Sequence, residues 1–244
     1  MFKLVLQSPH MPKLLTFLLL LVFLLIAGLT YAGLMPVLSP ALLKPKDLGV
    51  RIDPQLVADF DVSHQMINAL PDGKVPADRE PNYSGQISLD VTLDSAEISS
   101  ILDYWQQQYS KTPISQVQVR INDDGSGEVS GILDLAVAVE MAKQLGYSDE
   151  QIEQGKRFLG IINTRLPFYL QGTGSVTDNR VSIQATQAKI ANINLPSEWV
   201  TQVNQAAGDA IERRIRQIPN LEVESLRLVD GAVSLKATAP NTIE

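Results

Sequence analysis

Residues 86–110, QISLDVTLDSAEISSILDYWQQQYS, change hydrophobic period once and cleanly. Ile87, Leu89, Val91 and Leu93 alternate with Ser88, Asp90 and Thr92, the period-2 signature of a strand with one buried face. From Asp94 the period lengthens. Asp94 with Glu97 three positions on has the spacing of a capping box, with Ser95 as the alternative cap, and Ile98, Ile101, Leu102, Trp105 and Tyr109 fall on one helical stripe. A strand thus runs straight into a helix, which must end before Pro113.

The same grammar continues downstream. Val117, Val119 and Ile121 alternate with Gln116, Gln118 and Arg120, Asn122–Gly127 supplies turn chemistry, and Val129–Leu133 returns as the partner strand. Helical segments are expected at about 134–145 and 148–164, broken at Gly146, with Ser148 and Gln151 at capping-box spacing. Phe168, Leu170, Gly172, Gly174 and Val176 form one face of a further strand, which turns at Thr177–Arg180 and comes back through Val181, Ile183 and Ala185. Beyond Gln187 the apolar phase slips to Ala188 and Ile190, so a bulge that curves the sheet is predicted near that point. A last helix of about twenty residues, from Pro196 and Ser197 to Ile218, carries the stripe Val200, Val203, Ala207, Ala210, Ile211, Ile215 and Ile218, read as buried. Val223–Val229, the Asp230-Gly231 turn and Val233–Ala237 close the chain as a hairpin. The fold class expected is α+β: a curved antiparallel sheet of about seven strands, built from hairpins and packed on long helices.

Upstream of the first strand, Asp53 and Pro54 read as an N-cap and first helical residue of a short helix to about Phe60, and the stretch 70–83, rich in proline and charge, reads as a loop. Further towards the start, Leu14–Met35 is almost wholly apolar, and no charge occurs between Lys13 and Lys44. Some 22 helical residues at about 1.5 Å each match a hydrocarbon core of about 30 Å. One transmembrane helix acting as a signal anchor is the expected reading. Cleavage before Gly33, after the small-residue pattern Thr30, Tyr31, Ala32, is the alternative. Pro36, Pro40 and Pro45 then suit a stiff stalk. The expected order is a cytoplasmic tail at 1–13, the span at 14–35, a stalk at 36–52 and an extracytoplasmic body at 53–244. Lys3, Lys13 and the amino terminus, against Lys44 and Lys46, tip the orientation towards an inside N-terminus in the cell membrane.

Charge and residue usage narrow the chemistry. Residues 45–244 carry 17 basic against 27 acidic side chains, a surface that repels a phosphate backbone, so nucleic acid is not expected as a partner. The absence of cysteine removes thiolate nucleophiles and Cys-ligated zinc. His64 is the lone histidine of the body, and neither Ser63 beside it nor any serine elsewhere sits in a Gly-x-Ser-x-Gly elbow. Asp59, Asp61 and His64 match no standard metal-ligand spacing, and Asn122–Glu128 lacks the later ligands of a calcium loop and reads as a hairpin turn. Gly172 and Gly174 lie inside a strand pattern, where they let the sheet bend or a helix approach rather than cradle a phosphate. Arg213, Arg214 and Arg216 share their helix with Asp209 and Glu212 and read as a solvated face. No enzyme and no cofactor are expected.

The chain resembles a group of little-characterised bacterial proteins with one N-terminal span and an extracytoplasmic α+β domain. The likeness rests on Lys46-Asp47-Leu48-Gly49-Val50, on Pro113 to Gly131 with its Asp124-Gly125 turn, on Pro167-Phe168-Tyr169-Leu170 leading into Gly172-Thr173-Gly174-Ser175-Val176, and on Ile218-Pro219-Asn220-Leu221 into Val223-Glu224-Ser225. A long helix against a curved sheet is also loosely similar to tubular lipid-binding modules, which implies an apolar or amphiphilic ligand such as lipid. The expected ligand-binding residues are Ile101 and Trp105, Phe168 and Leu170, and Val203, Ala207 and Ile211, with no catalytic and no metal site. Expected partners are membrane lipid through the span and a lipid or envelope-protein ligand, and the alternative function is an envelope interaction or scaffold domain whose outer surface docks another protein.

Overall fold

The computed structural model describes residues 44–68, 81–108, 112–153, 165–190 and 192–243, and Pro45–Glu244 forms one folded unit. The expected span at 14–35, the loop at 70–80, Tyr109 and the second half of the helix expected at 148–164 lie outside the described residues. Among those described, no helix is long and apolar enough to cross a membrane.

The fold is α+β with an antiparallel main sheet. Its helices are α1 (Pro54–Ser63), α2 (Ser95–Gln108), α3 (Leu135–Gln144) and α4 (Ser197–Gln217). The strands are β1 (Ile67–Asn68), β2 (Tyr83–Ser84), β3 (Ile87–Asp94), β4 (Ile114–Ile121), β5 (Gly127–Asp134), β6 (Arg165–Thr177), β7 (Arg180–Ile190), β8 (Ile193–Asn194), β9 (Glu222–Val229), β10 (Ala232–Ala239) and β11 (Thr242–Ile243). The main sheet runs β3-β10-β9-β6-β5-β4, with β7 and β8 continuing beyond β6. β6 is long enough to pair β5 through Arg165–Gly172 and β9 through Ser175–Thr177 while holding β7 along its other side. A small sheet β1-β11-β2 gathers the ends of the described segments, and its β1–β11 pair is parallel.

Local chemistry sets these boundaries. The carboxylate of Asp94 accepts from the Ala96 and Glu97 N–H groups while Glu97 accepts from the Asp94 N–H, a reciprocal capping box at the start of α2. Asp53 caps α1 by accepting from Gln55 N–H, with Pro54 in the first turn. α3 ends in a Schellman motif: Gly146, at φ 78°, lets the Tyr147 N–H reach Ala142 O and its own N–H reach Lys143 O. Asp178-Asn179 and Asp230-Gly231 both sit in the left-handed region, as the two-residue hairpin turns of type I′ require.

Helices close two sheet edges with side chains. On the outer edge of β4, Ser99 Oγ accepts from Val119 N–H at 2.9 Å and donates to Val119 C=O at 3.2 Å. Ser95 Oγ accepts from Ile121 N–H, and Gln106 from the N–H of Gln116. On β7, Asn204 and Glu212 of α4 accept from the N–H groups of Ala185 and Val181. Backbone donors that would otherwise recruit another strand are thereby occupied. Ser99 is wholly buried, so Ser99→Ala leaves both Val119 groups without a partner and is expected to cost about 1–2 kcal/mol, read as a lower midpoint in denaturant titration.

One face of the sheet carries the core. Val117, Val119 and Ile121 of β4 pack with Val233 of β10 beneath Ile98 and Leu102 of α2, and Val176, Val223 and Ala237 pack with Ile215 of α4. Of the stripe expected to be buried on the last helix, only Ile215 is; Val200, Val203, Ala207, Ala210 and Ile218 are half-buried and Ile211 is 44% exposed. The physical reason is that α4 lies along a strand edge, presenting Asn204 and Glu212 to β7, so its apolar flank is left partly uncovered.

Candidate functional site

The seven residues expected to bind a ligand fall on three elements, α2, β6 and α4. Ile101 and Trp105 are half-buried on α2, which packs on β4, and Trp105 meets Tyr104 edge to face at 5.8 Å. Phe168 and Leu170 are half-buried on β6; Leu170 stands opposite Val129, a member of the β4 cluster, and so shares the core face. Val203 and Ala207 are half-buried and Ile211 exposed on α4, which packs on β7. β5 and β6 therefore form a floor between the strands that carry the two helices. The three strand spacings from β4 to β7 amount to about 14 Å.

The opposite face of the same strands holds a cluster that the alternation pattern assigned to solvent. Glu128 of β5 is 3% exposed. Its carboxylate accepts from Lys46 Nζ at 2.6 Å and Tyr169 OH at 2.7 Å, and from the Arg120 guanidinium. Lys46 Nζ also lies 4.1 Å from the centre of the Tyr169 ring, with Lys189 at 5.6 Å. The cover over this cluster is the stretch expected to be stalk. Leu48 is buried, its N–H donates to Gln118 Oε1 at 2.6 Å, and its carbonyl accepts from Arg120 at 3.3 Å.

Electrostatics fix the charge state. Burial pushes the Glu128 carboxyl up, but hydrogen bonds from Lys46, Tyr169 and Arg120 outweigh it and bring the pKa down to about 2. Burial, then the hydrogen bond to Glu128, raises the Tyr169 phenol. Burial lowers the Lys46 ammonium, and its bonds to Glu128 and Tyr169 more than restore it. At neutral pH the cluster is a saturated carboxylate among protonated donors, an arrangement suited to holding chain in place. Lys46-Asp47-Leu48 standing just outside the body, and Tyr169 sitting in the polar phase of β6, were the sequence signals for it.

The other sequence candidates have local partners. His64 Nδ1 lies 2.9 Å from Phe60 O and from Ser63 Oγ, and that hydroxyl donates to Phe60 O. Asp59 accepts from Gln55, and among the described residues no group of acidic and histidine side chains is disposed to hold a metal. Asn122–Ser126 is a hairpin turn in which Asp124 accepts from Ser126 N–H, and the Ser126 hydroxyl and then this N–H lower the Asp124 pKa. Arg213 is no solvated residue: it pairs with Asp209 at 3.0 Å, donates to the Leu145 and Gly146 carbonyls at the end of α3, and stacks on Tyr147. The Tyr147 phenol is pushed up to about 12 by burial and by its bond to Asp209. A polar cleft of about 550 Å³ runs between β3, β10, β9 and the β6–β7 turn, lined by Asp90, Asp178, Glu222, Glu224 and Lys236 among others. No family model, curated protein or solved structure matches the chain.

Proposed function

We propose that the chain is a membrane-anchored, non-enzymatic module whose body stands on the extracytoplasmic side and takes an apolar or amphiphilic molecule, a lipid acyl chain foremost, across the core face between α2 and α4. The observation that carries this reading is the incomplete burial of apolar residues on three elements along one side of the sheet: Ile101 and Trp105, Phe168 and Leu170, and Val203, Ala207 and Ile211. Residues such as Val119 and Val176 on the same face are at most 8% exposed, so apolar burial of the usual depth is available in this sheet and is not reached at these positions. A floor about 14 Å wide has room for an extended hydrocarbon chain between the two helices. The apolar stretch Leu14–Met35 supports the anchor, the lysines before it support an inside N-terminus, and a sheet curved at its bulge over long helices would give the trough its shape.

The test is photocrosslinking of the full chain in cells fed a diazirine fatty acid, with adducts mapped by peptide mass spectrometry. Adducts are expected on peptides containing Phe168 and Leu170 and on peptides from 199–213, and Ile211→Glu, at a position already 44% exposed, should reduce them about tenfold without lowering the melting temperature. Adducts confined to residues 14–35 would overturn the ligand site while leaving the anchor standing. The second reading, an envelope interaction or scaffold domain, draws on Ile193 at 61% and Val229 at 42% exposure. It would gain from capture of one defined protein in place of lipid.

A further inference from the structure

We propose that Lys46–Ile52 is a detachable strap: an extended segment seated on the outer face of β4, β5 and β6 that leaves as a unit while the sheet stays folded.

Three observations carry this. First, the strap's hydrogen bonds to the sheet all run through side chains: Lys46 to Glu128, the Leu48 N–H to Gln118, and Arg120 to the Leu48 carbonyl. It is no strand of the sheet, so its departure breaks no backbone ladder. Second, the bed beneath it is incompletely satisfied. Ser130, which pairs in register with Gln118 on one side and Tyr169 on the other, buries a hydroxyl with no partner among the described residues, and Arg120 Nε is in the same position. Water admitted by opening would reach both, which offsets part of what undocking loses. Third, the strap has a defined end: the Asp53 N–H donates to Ser100 Oγ at 2.8 Å and Asp53 caps α1, so chain beyond Asp53 stays fixed to α2 when the strap lifts. Gly49, at φ 71° with nothing within 4 Å of the place a side chain would occupy, gives the segment its bend.

Specificity lies in two side chains. Lys46 places an ammonium on both the Glu128 carboxylate and the Tyr169 ring, and Leu48 is buried beside Gln118 and Arg120. Release frees seven residues, and at up to about 3.5 Å each they add about 25 Å of reach to the body. That consequence for distance from a bilayer rests on the anchor proposed above; detachment itself does not, and the experiment reads detachment alone.

The chain has no cysteine, so a single introduced thiol reports without background. Leu48→Cys and, separately, Val117→Cys in the core are made in the full chain, and maleimide labelling rates are measured with native Glu128 and with Glu128→Gln. The strap predicts faster labelling at residue 48 than at residue 117. It further predicts that Glu128→Gln speeds labelling at 48 about tenfold or more and still leaves residue 117 the slower of the two by at least about tenfold, as opening at a lower free energy than global unfolding requires. Lys46→Gln, which alters only the strap, should reproduce the effect. Equal rates at the two positions, or a rate at 48 that neither substitution moves, would show the segment to be an ordinary part of the core and overturn the proposal.

Discussion

Glu128→Gln is expected to lower the unfolding free energy at pH 7 by about 2–3 kcal/mol, and the gap from the unsubstituted chain should close as the solution is acidified. The carboxyl has a pKa of about 2 in the folded chain against an ordinary value near 4.5. A lowered folded pKa means that the unfolded chain binds the proton more tightly. The stabilisation from ionised Glu128 is therefore fully present above about pH 5 and fades as pH falls through 4.5 towards 2. The full shift would correspond to a little over 3 kcal/mol at about 1.4 kcal/mol per unit. Lys46 and Arg120 keep 43% of their side chains exposed, so solvent screens part of that, and the lower figure follows. Denaturant titrations of both proteins from pH 7 to pH 2.5 check this. Parallel stability curves across that range would mean the carboxylate contributes no pH-dependent stability and that packing alone holds the segment down. For a domain whose whole stability is on the order of 5–15 kcal/mol, the effect is large for one oxygen-for-nitrogen exchange.

Why the sequence concealed this cluster follows from what alternation can report. Period-2 patterning separates the two faces of a strand but says nothing about what covers the polar one. Gln118, Arg120, Glu128 and Ser130 have the composition of a solvated face, and Glu128 and Ser130 are buried, with Gln118 and Arg120 half-buried, because a short segment far away in sequence lies across them. Long-range covering of this kind leaves no local signature. Features that depend on nearest neighbours were legible: the Asp94–Glu97 box, the Gly146 break, the type I′ turns and the strand phases all appear where the residues put them. The stripe on α4 was misread for the same reason in reverse. A helical moment gives the apolar side of a helix without saying whether it meets the face of a sheet or its edge. The candidate ligand residues inherit that ambiguity, since their spacing located the rows of α2, β6 and α4 but not how deeply each is covered.

Gly172→Ala should cost about 2–4 kcal/mol, while Gly174→Ala, two residues along the same strand, should cost under about 1 kcal/mol. The two glycines look alike in sequence. A Cβ on Gly172 would stand 2.2 Å from the Gln184 carbonyl oxygen and 2.6 Å from Ala185 Cα, both backbone atoms that can yield only by opening the hairpin. On Gly174 the nearest atom is Ser182 O at 3.7 Å, an ordinary contact. The difference comes from the bulge: Gln171 pairs with Gln187 but Gly172 pairs with Ala185, so Thr186 is the extra residue and β7 folds in towards β6 there. That extra residue is why Val181, Ile183 and Ala185 can share the core face with Ala188 and Ile190, whose parity is opposite. A Gly172 side chain would force a choice between relieving the clash and keeping Ala188, 2% exposed, on the core face. Deleting Thr186 in the alanine variant removes the bulge and, because β7 is then one residue shorter, keeps Ala188 and Ile190 on the core face in regular alternation, so it should restore much of the lost stability. Failure of that double variant to recover stability would show that the bulge is not the source of the clash, and equal losses at Gly172 and Gly174 would show that the close approach is not what the bulge demands.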